Sequence, residues 1–306
     1  MNVIEPLTVT DTVFTASNVP EDDYAAWNSG TSYTIGQQVI LVSTHSVYEA
    51  VATSTNKNPP DNIFDATTNP SGQWLRVGAT NRWKAFDGKV GDQTSRADTI
   101  TYTLTTPRLS DSIAFFGIVA ESIRVVVKDT GSVVVYDVTK DIVDTSIIVD
   151  WFTYFTWESF YDTETLFLGV PAYASHTVEI TISAPSTTAK IGQIVWGRNR
   201  KLGETISGTE IGIRDFSRKD RDDFGNAILI KRGFIRTVNF NFVMPVQDER
   251  RVQRVLSTLL AVPSVYYATS NTIDRGTLVY GFFPDFSAPL SSAGVTFASL
   301  EVESLS

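Results

Sequence analysis

Cysteine is absent from the 306 residues, and with it go disulfides, thiolate nucleophiles, iron–sulfur clusters and zinc fingers. The absence fits a chain folded in a reducing cytoplasm that must later persist outside, whatever the redox state. Histidine is almost absent too: only His45 and His176 occur. A three-histidine zinc site is impossible, and a Ser-His-Asp triad has two candidate bases at most. Long hydrophobic runs are missing. The longest, residues 113–120, falls far short of the ~18 residues that a membrane span needs. The opening Met1-Asn2-Val3-Ile4-Glu5-Pro6 has no basic region followed by an apolar stretch, so it does not read as a signal peptide. Cations are outnumbered. Lys plus Arg is 25 against 34 Asp plus Glu, a net charge of −9 with a pI near 4.8. That balance argues against a duplex nucleic-acid binder and against a polybasic membrane-surface protein. Fixed-period repeats and low-complexity tracts are also lacking.

Apolar residues are present in quantity. Hydrophobic residues make up 42% and charged residues 19%, enough for packed cores, and the length suits about two domains. The texture is β: short runs of Val, Ile, Thr, Tyr and Phe alternate with Gly, Asp, Asn, Ser and Pro. The clearest hairpin joins 124–128 to 133–136 through Asp129-Thr130-Gly131-Ser132, with Gly131 expected to supply the positive φ. Further strands are expected at 100–104, 165–170, 176–183, 191–196, 227–231, 234–243 and 295–303. In the last, Val295, Phe297, Ser299, Glu301 and Glu303 alternate with Thr296, Ala298, Leu300 and Val302, which suits one wet face or a sheet edge. One helix is expected over 248–261. Val252, Val255, Leu256, Leu259 and Leu260 share a face, Asp248 stands at the N-cap, and Pro263 stops it.

The expected fold is therefore mainly β, in four parts. Residues 1–23 form a polar N-terminal arm, and 24–80 a small turn-rich module. Residues 81–200 form a β-sandwich, jelly-roll-like, ending at the basic joint Arg198-Asn199-Arg200-Lys201. Residues 201–306 form a C-terminal β domain with the single helix.

A search for chemistry finds little. Counted from Asp220, Gly225 meets the sixth position of an EF-hand loop, but Lys231 stands at the twelfth and Phe224 at a ligand position. A charged surface hairpin or arm is the preferred reading, with no metal. Gly203 and Gly208 have P-loop spacing, but Thr209-Glu210 replaces the Lys-Ser/Thr pair. Glu158 lies among Trp151, Phe152, Tyr154, Phe155, Trp157, Phe160 and Tyr161. These rings could line a sugar cleft, but a core or an interface suits them better. His45 and His176 both sit in strand-like stretches and suit structural roles. No catalytic residue and no cofactor is expected.

Two resemblances add to this. Trp27, Tyr33, Gly36, Val39, Tyr48, Ala50, Pro59 and Trp74 follow one another at a spacing that resembles the small carbohydrate-binding modules of the type 5/12 class. The resemblance implies that fold and glycan binding by ring stacking, with Trp27, Tyr33, Tyr48 and Trp74 as candidates. Read from the residues alone, so small a domain also needs such aromatics for its core. Where the family commonly carries aromatics after the Y-x-A step, this chain has Val51-Ala52-Thr53-Ser54-Thr55.

The joined string Trp74-Leu75-Arg76-Val77-Gly78-Ala79-Thr80-Asn81-Arg82-Trp83-Lys84-Ala85-Phe86-Asp87-Gly88 looks like a segment of bacteriophage tail-associated proteins. The likeness continues through Asp215-Phe216-Ser217-Arg218-Lys219-Asp220, Lys231-Arg232-Gly233-Phe234 and Val279-Tyr280-Gly281-Phe282-Phe283-Pro284-Asp285-Phe286. Its strands, one helix and a closing strand resemble distal-tail and tail-tip (baseplate) ring proteins. The resemblance implies a virion structural protein assembled in the host cytoplasm. Its partners would be further copies of itself in a ring, together with tail-tube and hub proteins. In that setting Arg218, Lys219, Asp220, Arg221, Asp222 and Asp223 are candidates for contacts across a subunit boundary. The alternative is a receptor-binding protein whose 24–80 module touches a host-surface glycan. A glycan-cleaving enzyme is a third reading. Neither nucleic acid nor membrane insertion is expected.

Overall fold

The computed structural model of the chain describes all residues except 107, 145–147, 157–159, 174, 222–223, 269–275, 287–293 and 306. It is mainly β, with curled antiparallel sheets. The largest sheet has ten strands. Its order is Glu164–Leu168, Ser112–Phe116, Gln193–Lys201, Asn2–Pro6, Ser264–Tyr267, Val279–Phe282, Val295–Ser304, Phe234–Pro245 and Glu204–Thr205. Glu210–Asp215 also pairs with Phe234–Pro245. A five-stranded sheet runs Val134–Asp141, Ser122–Lys128, His176–Ile191, Thr94–Thr106 and Phe14–Ser17.

The five-stranded sheet packs against the first strands of the large one. Ile123, Val125, Val127, Ile100, Tyr102, Leu104, Val178, Ile180 and Ile182 meet Ile113, Phe115, Phe167, Ile194 and Trp196. These residues recur every second position, so each strand turns one face into the sandwich. The middle of the large sheet is covered on both sides. Ser112–Phe116 is buried at all five positions. Its second face, with Ile4, Leu166, Val265, Tyr267 and Tyr280, lines the inside of the curl.

The helix Glu249–Thr258 covers the other end of this sheet. Val252, Leu256 and Leu259 pack on Phe240, Phe242, Leu300 and Val302. It is preceded by a 3-10 turn, Val246–Asp248, and ends well before Pro263. Asp248 holds the N-cap position but makes no capping bond; its Oδ1 accepts from Arg251 Nε at 3.2 Å. Leu260 is exposed rather than on the buried face.

Three expectations are corrected. The first residues are not a polar arm: Asn2–Pro6 is a central strand, paired on one side with Gln193–Lys201 and on the other with Ser264–Tyr267. Val3 and Ile4 point to opposite faces and both are fully buried, because both faces of the sheet are covered there. The sheet also runs straight through the expected division at 200/201. In the hairpin after Lys128, the positive φ falls on Ser132, not Gly131. Asp129 Oδ1 accepts from the N–H groups of Gly131 and Val133 at 2.8 and 2.9 Å, and this Asp-centred turn sets the backbone. Val295–Ser304 is an interior strand with one wet face, not an edge: Thr296, Ala298, Leu300 and Val302 are buried, and their neighbours face solvent. At Gly281 only glycine fits, since a Cβ there would collide with the Glu303 carbonyl of the adjacent strand.

Among the described residues, no helix is long and apolar enough to cross a membrane.

Candidate functional site

The small module is a three-stranded sheet, Gln38–Leu41, Ser46–Ala50 and Trp74–Ala79, with a two-stranded ladder of Ser32–Tyr33 and Ser54–Thr55. Its core is Tyr33, Val39, Tyr48, Ala50 and Trp74. Three of the four candidate glycan rings are thus interior. The Trp74 indole N–H donates to the Lys57 carbonyl at 2.8 Å, and its ring meets Tyr33 edge-on at 5.2 Å. The Tyr33 hydroxyl accepts from Asn28 N at 2.7 Å, and Tyr48 shares a bond with Thr44 at 3.1 Å. Buried rings leave no face for a sugar, so the stacking role fails at Tyr33, Tyr48 and Trp74. Trp27 packs half-buried against this core, and its indole N–H finds no acceptor. A different aromatic, Tyr24, is exposed. It lines a cleft of about 230 Å³ with Asp23, Gln38, Lys84 and Asp92. The spacing match begins at Trp27 and so passes over it.

His45 ties the module to the rest of the chain. Its Nδ1 lies 2.9 Å from Glu21 and its Nε2 2.6 Å from Asp11. Its ring stacks on Trp83 at 4.1 Å. Glu21 also accepts from Thr80 Oγ1 at 2.9 Å. This is a structural clamp between residues 11–21, the module and the start of the sandwich.

His176 sits beside Ser110, and both are buried. The Tyr173 carbonyl, 3.2 Å from Nδ1, can only accept, so Nδ1 carries the proton and Nε2 accepts from Ser110 Oγ at 3.0 Å. A catalytic dyad would need an open approach to the serine oxygen, and burial denies it. Burial also holds the imidazole pKa below its usual 6.5. A histidine kept neutral by folding binds fewer protons than the unfolded chain. Its contribution to stability is therefore complete above pH ~6.5 and is lost as pH falls through the lower folded value. Thermal unfolding measured from pH 7.5 down to 5 should show a declining Tm, and His176→Gln should flatten that decline. An unchanged slope in the variant would remove His176 from the account.

The charged arm is more informative. Glu210–Asp215 pairs with Phe234–Pro245 from Glu210↔Asn239 to Asp215↔Phe234. Beyond that point Arg218–Arg221 and Ala227–Ile230 continue as a two-stranded ribbon that pairs with no other strand among the described residues. Its charges are satisfied locally. Arg218 pairs with Asp220, Lys219 lies 2.8 Å from Asp215, and Arg221 Nη1 donates to the Gly225 carbonyl at 3.2 Å. Lys219 and the neighbouring Ser217 hold the Asp215 carboxyl well below the usual range. Asp222 and Asp223 lie outside the described residues. Arg218, Lys219, Asp220 and Arg221 thus each have a partner within the arm. What the arm offers besides is apolar. Ile211, Ile213, Phe216, Ile228, Leu229, Ile230 and Phe234 are all exposed, Leu229 at 72%, and Phe224 near the turn stands 91% exposed. A signal was available in the sequence: three consecutive apolar residues cannot share one face of a strand, so both faces of this ribbon need cover.

The aromatic run at 151–161 lies in no core of the described residues. Trp151–Thr156 is a short helix between the paired segments Val143–Asp144 and Phe160–Tyr161. Asp150 Oδ1 accepts from Thr153 N at 2.7 Å and starts the helix. Trp151, Phe152, Tyr154 and Phe155 are exposed. Trp157 and Glu158, the carboxylate considered for a sugar cleft, lie outside the described residues. Among the described residues no group of three His, Asp or Glu side chains converges as metal ligands.

No family model matches the chain, and no curated protein matches it.

Proposed function

We propose that this chain is a non-catalytic structural component of a bacteriophage tail tip or baseplate. It assembles into an oligomeric ring or collar that joins the tail tube to the host-recognition parts. The observation that carries this reading is the exposed apolar surface that Ile211, Ile213, Ile228, Leu229 and Ile230 form on the arm. A two-stranded ribbon with apolar residues on both faces is marginal in water by itself. Exposed apolar surface of this extent marks a protein contact. A contact between two different surfaces of one chain, repeated by rotation, closes into a ring. The order of motifs along the chain, which resembles tail-tip proteins, supplies the biological setting.

The test is the mass of the purified full chain by light scattering and native mass spectrometry, alone and with tail-tube and hub proteins. A discrete closed oligomer, or stable association with those proteins, is expected. A monomer at every concentration that also ignores the other tail proteins would remove the reading.

The second reading, glycan binding by the module, is favoured by one observation, the cleft under Tyr24 with its polar lining of Asp23, Gln38, Lys84 and Asp92. The two readings are compatible, since the module lies apart in sequence from the arm.

A further inference from the structure

Where the large sheet curls, its first strand approaches its far side. Glu164 on Glu164–Leu168 reaches Arg236 on Phe234–Pro245 at 2.8 Å. The ion pair closes one side of an open pocket of about 360 Å³. The walls are apolar and aromatic: Phe116 and Tyr280 stack with centroids 5.5 Å apart, and Val279 and Phe234 complete them. Gly233 stands at the rim, where a Cβ would meet nothing within 4 Å. Arg236 is fully engaged, since its Nη2 also donates to the Gly276 carbonyl at 2.9 Å. The Glu164 carboxyl bonds Arg236 through Oε2, so the pocket wall carries one carboxylate acceptor. Burial raises the Glu164 pKa, with Arg236 opposing it, and the phenol of Tyr280 is pushed up to about 12. Such a site favours a flat apolar group that brings one hydrogen-bond donor.

The same chain carries groups of that description that stand exposed among the described residues. Trp151, Phe152, Tyr154 and Phe155 are 75%, 74%, 57% and 78% exposed on the helix Trp151–Thr156. Trp151 and Phe155 lie with rings 24° from parallel at 6.2 Å, and Tyr154 meets both edge-on. At ~150–250 Å² per aromatic side chain, this knob leaves roughly 500–600 Å² of ring surface in water. One partner in a standard protein interface contributes about 800 Å², so the knob by itself approaches one side of such an interface. Trp151 and Tyr154 each carry a donor that the Glu164 carboxylate can accept. The volume suits one large ring with its neighbours at the rim.

We propose that the aromatic knob of one copy seats in the curled-sheet pocket of the next copy, with Trp151 or Tyr154 donating to Glu164. This rests on the ring reading and names a contact within it. Knob and pocket are different surfaces of one chain, so the contact is head-to-tail and repeats around a closed assembly.

The absence of cysteine makes a direct test possible in the full chain. Thr156→Cys, at the exposed end of the knob helix, and Gly233→Cys are made separately, mixed, and treated with a short thiol-specific cross-linker. A covalent pair joining position 156 to 233 is expected, at least about tenfold above a control pairing Thr156→Cys with Val133→Cys on an exposed turn. The double variant Trp151→Ala/Phe155→Ala should unfold at the wild-type temperature, because those rings support no core. Its assembly should weaken by about 30-fold or more, as for truncated hot-spot aromatics. An intact oligomer with no 156–233 product overturns the contact and leaves the ring reading standing. A monomer under all conditions removes both. A dilution-independent cross-link within a single chain carrying both cysteines would show the knob folding onto its own pocket, and overturns the proposal. Binding of the wild-type chain to phosphatidylcholine vesicles, lost in the alanine variant, would assign the knob to a bilayer and overturn it too.

Discussion

Serine at Ile228, Leu229 and Ile230 together should abolish self-assembly and leave the rest of the chain folded. Among the described residues these three touch no core: all are exposed on a ribbon whose strands pair only with each other. Removing their side chains therefore costs the isolated chain little. In an assembly the balance differs. Covering a large aliphatic side chain is worth about 1.5–3 kcal/mol when burial is complete. Three such residues, discounted for their partial exposure at the start, contribute roughly 2.5–5 kcal/mol per contact. That range corresponds to about two to four orders of magnitude in the association constant. The local ion pairs Arg218–Asp220 and Lys219–Asp215 survive the change. They are exposed and worth little. Light scattering across a concentration series reads the loss, and thermal unfolding of the same sample checks the fold. A variant that assembles like the parent would show that the ribbon is not the contact, whatever its exposure.

Trp74→Ala should unfold the small module while the two large sheets stay intact. Trp74 is fully buried and is the largest member of a core otherwise made of Tyr33, Val39, Tyr48 and Ala50. Large aromatic-to-alanine changes in cores cost ~3–5 kcal/mol. A domain this small holds a margin of about that size. The change also strands the Lys57 carbonyl, which loses its indole donor, and removes the edge-on contact to Tyr33. Hydrogen exchange should rise across residues 24–80 and stay protected in Ser112–Phe116 and Phe234–Pro245. Full protection of the module in the variant would mean that its core is less dependent on this ring than its size suggests. The prediction also bears on glycan binding. Loss of binding in Trp74→Ala would report unfolding, so the informative substitution is Tyr24→Ala, whose ring is exposed and supports no core cluster.

Much of the fold was legible in local patterns. The alternation through 295–303, the apolar stripe at Val252, Leu256 and Leu259, and the turn after Lys128 all depend on residues a few positions apart. Each could be read without knowing the rest of the chain. The candidate sites were much less legible. Aromatics in the module and aromatics at 151–155 look alike as a sequence, yet Trp74 is buried and Trp151 stands in water. The charges of the arm suggested a contact; Arg218, Lys219 and Asp220 find ion-pair partners within it, and the apolar residues on the opposite strand are a further surface on offer.

By itself the sequence determined the β class, the single long helix and the exclusion of thiol and three-histidine chemistry. Periodicity, turn residues and composition are local quantities, and the chain carries them before it folds. The tertiary structure alone decided that Asn2–Pro6 lies inside a ten-stranded sheet, between the far-off strands Gln193–Lys201 and Ser264–Tyr267. It also decided which rings are core and which are surface. Burial and strand partnership are set by what the remainder of the chain brings to each face. Five residues with one short apolar pair cannot encode that on their own.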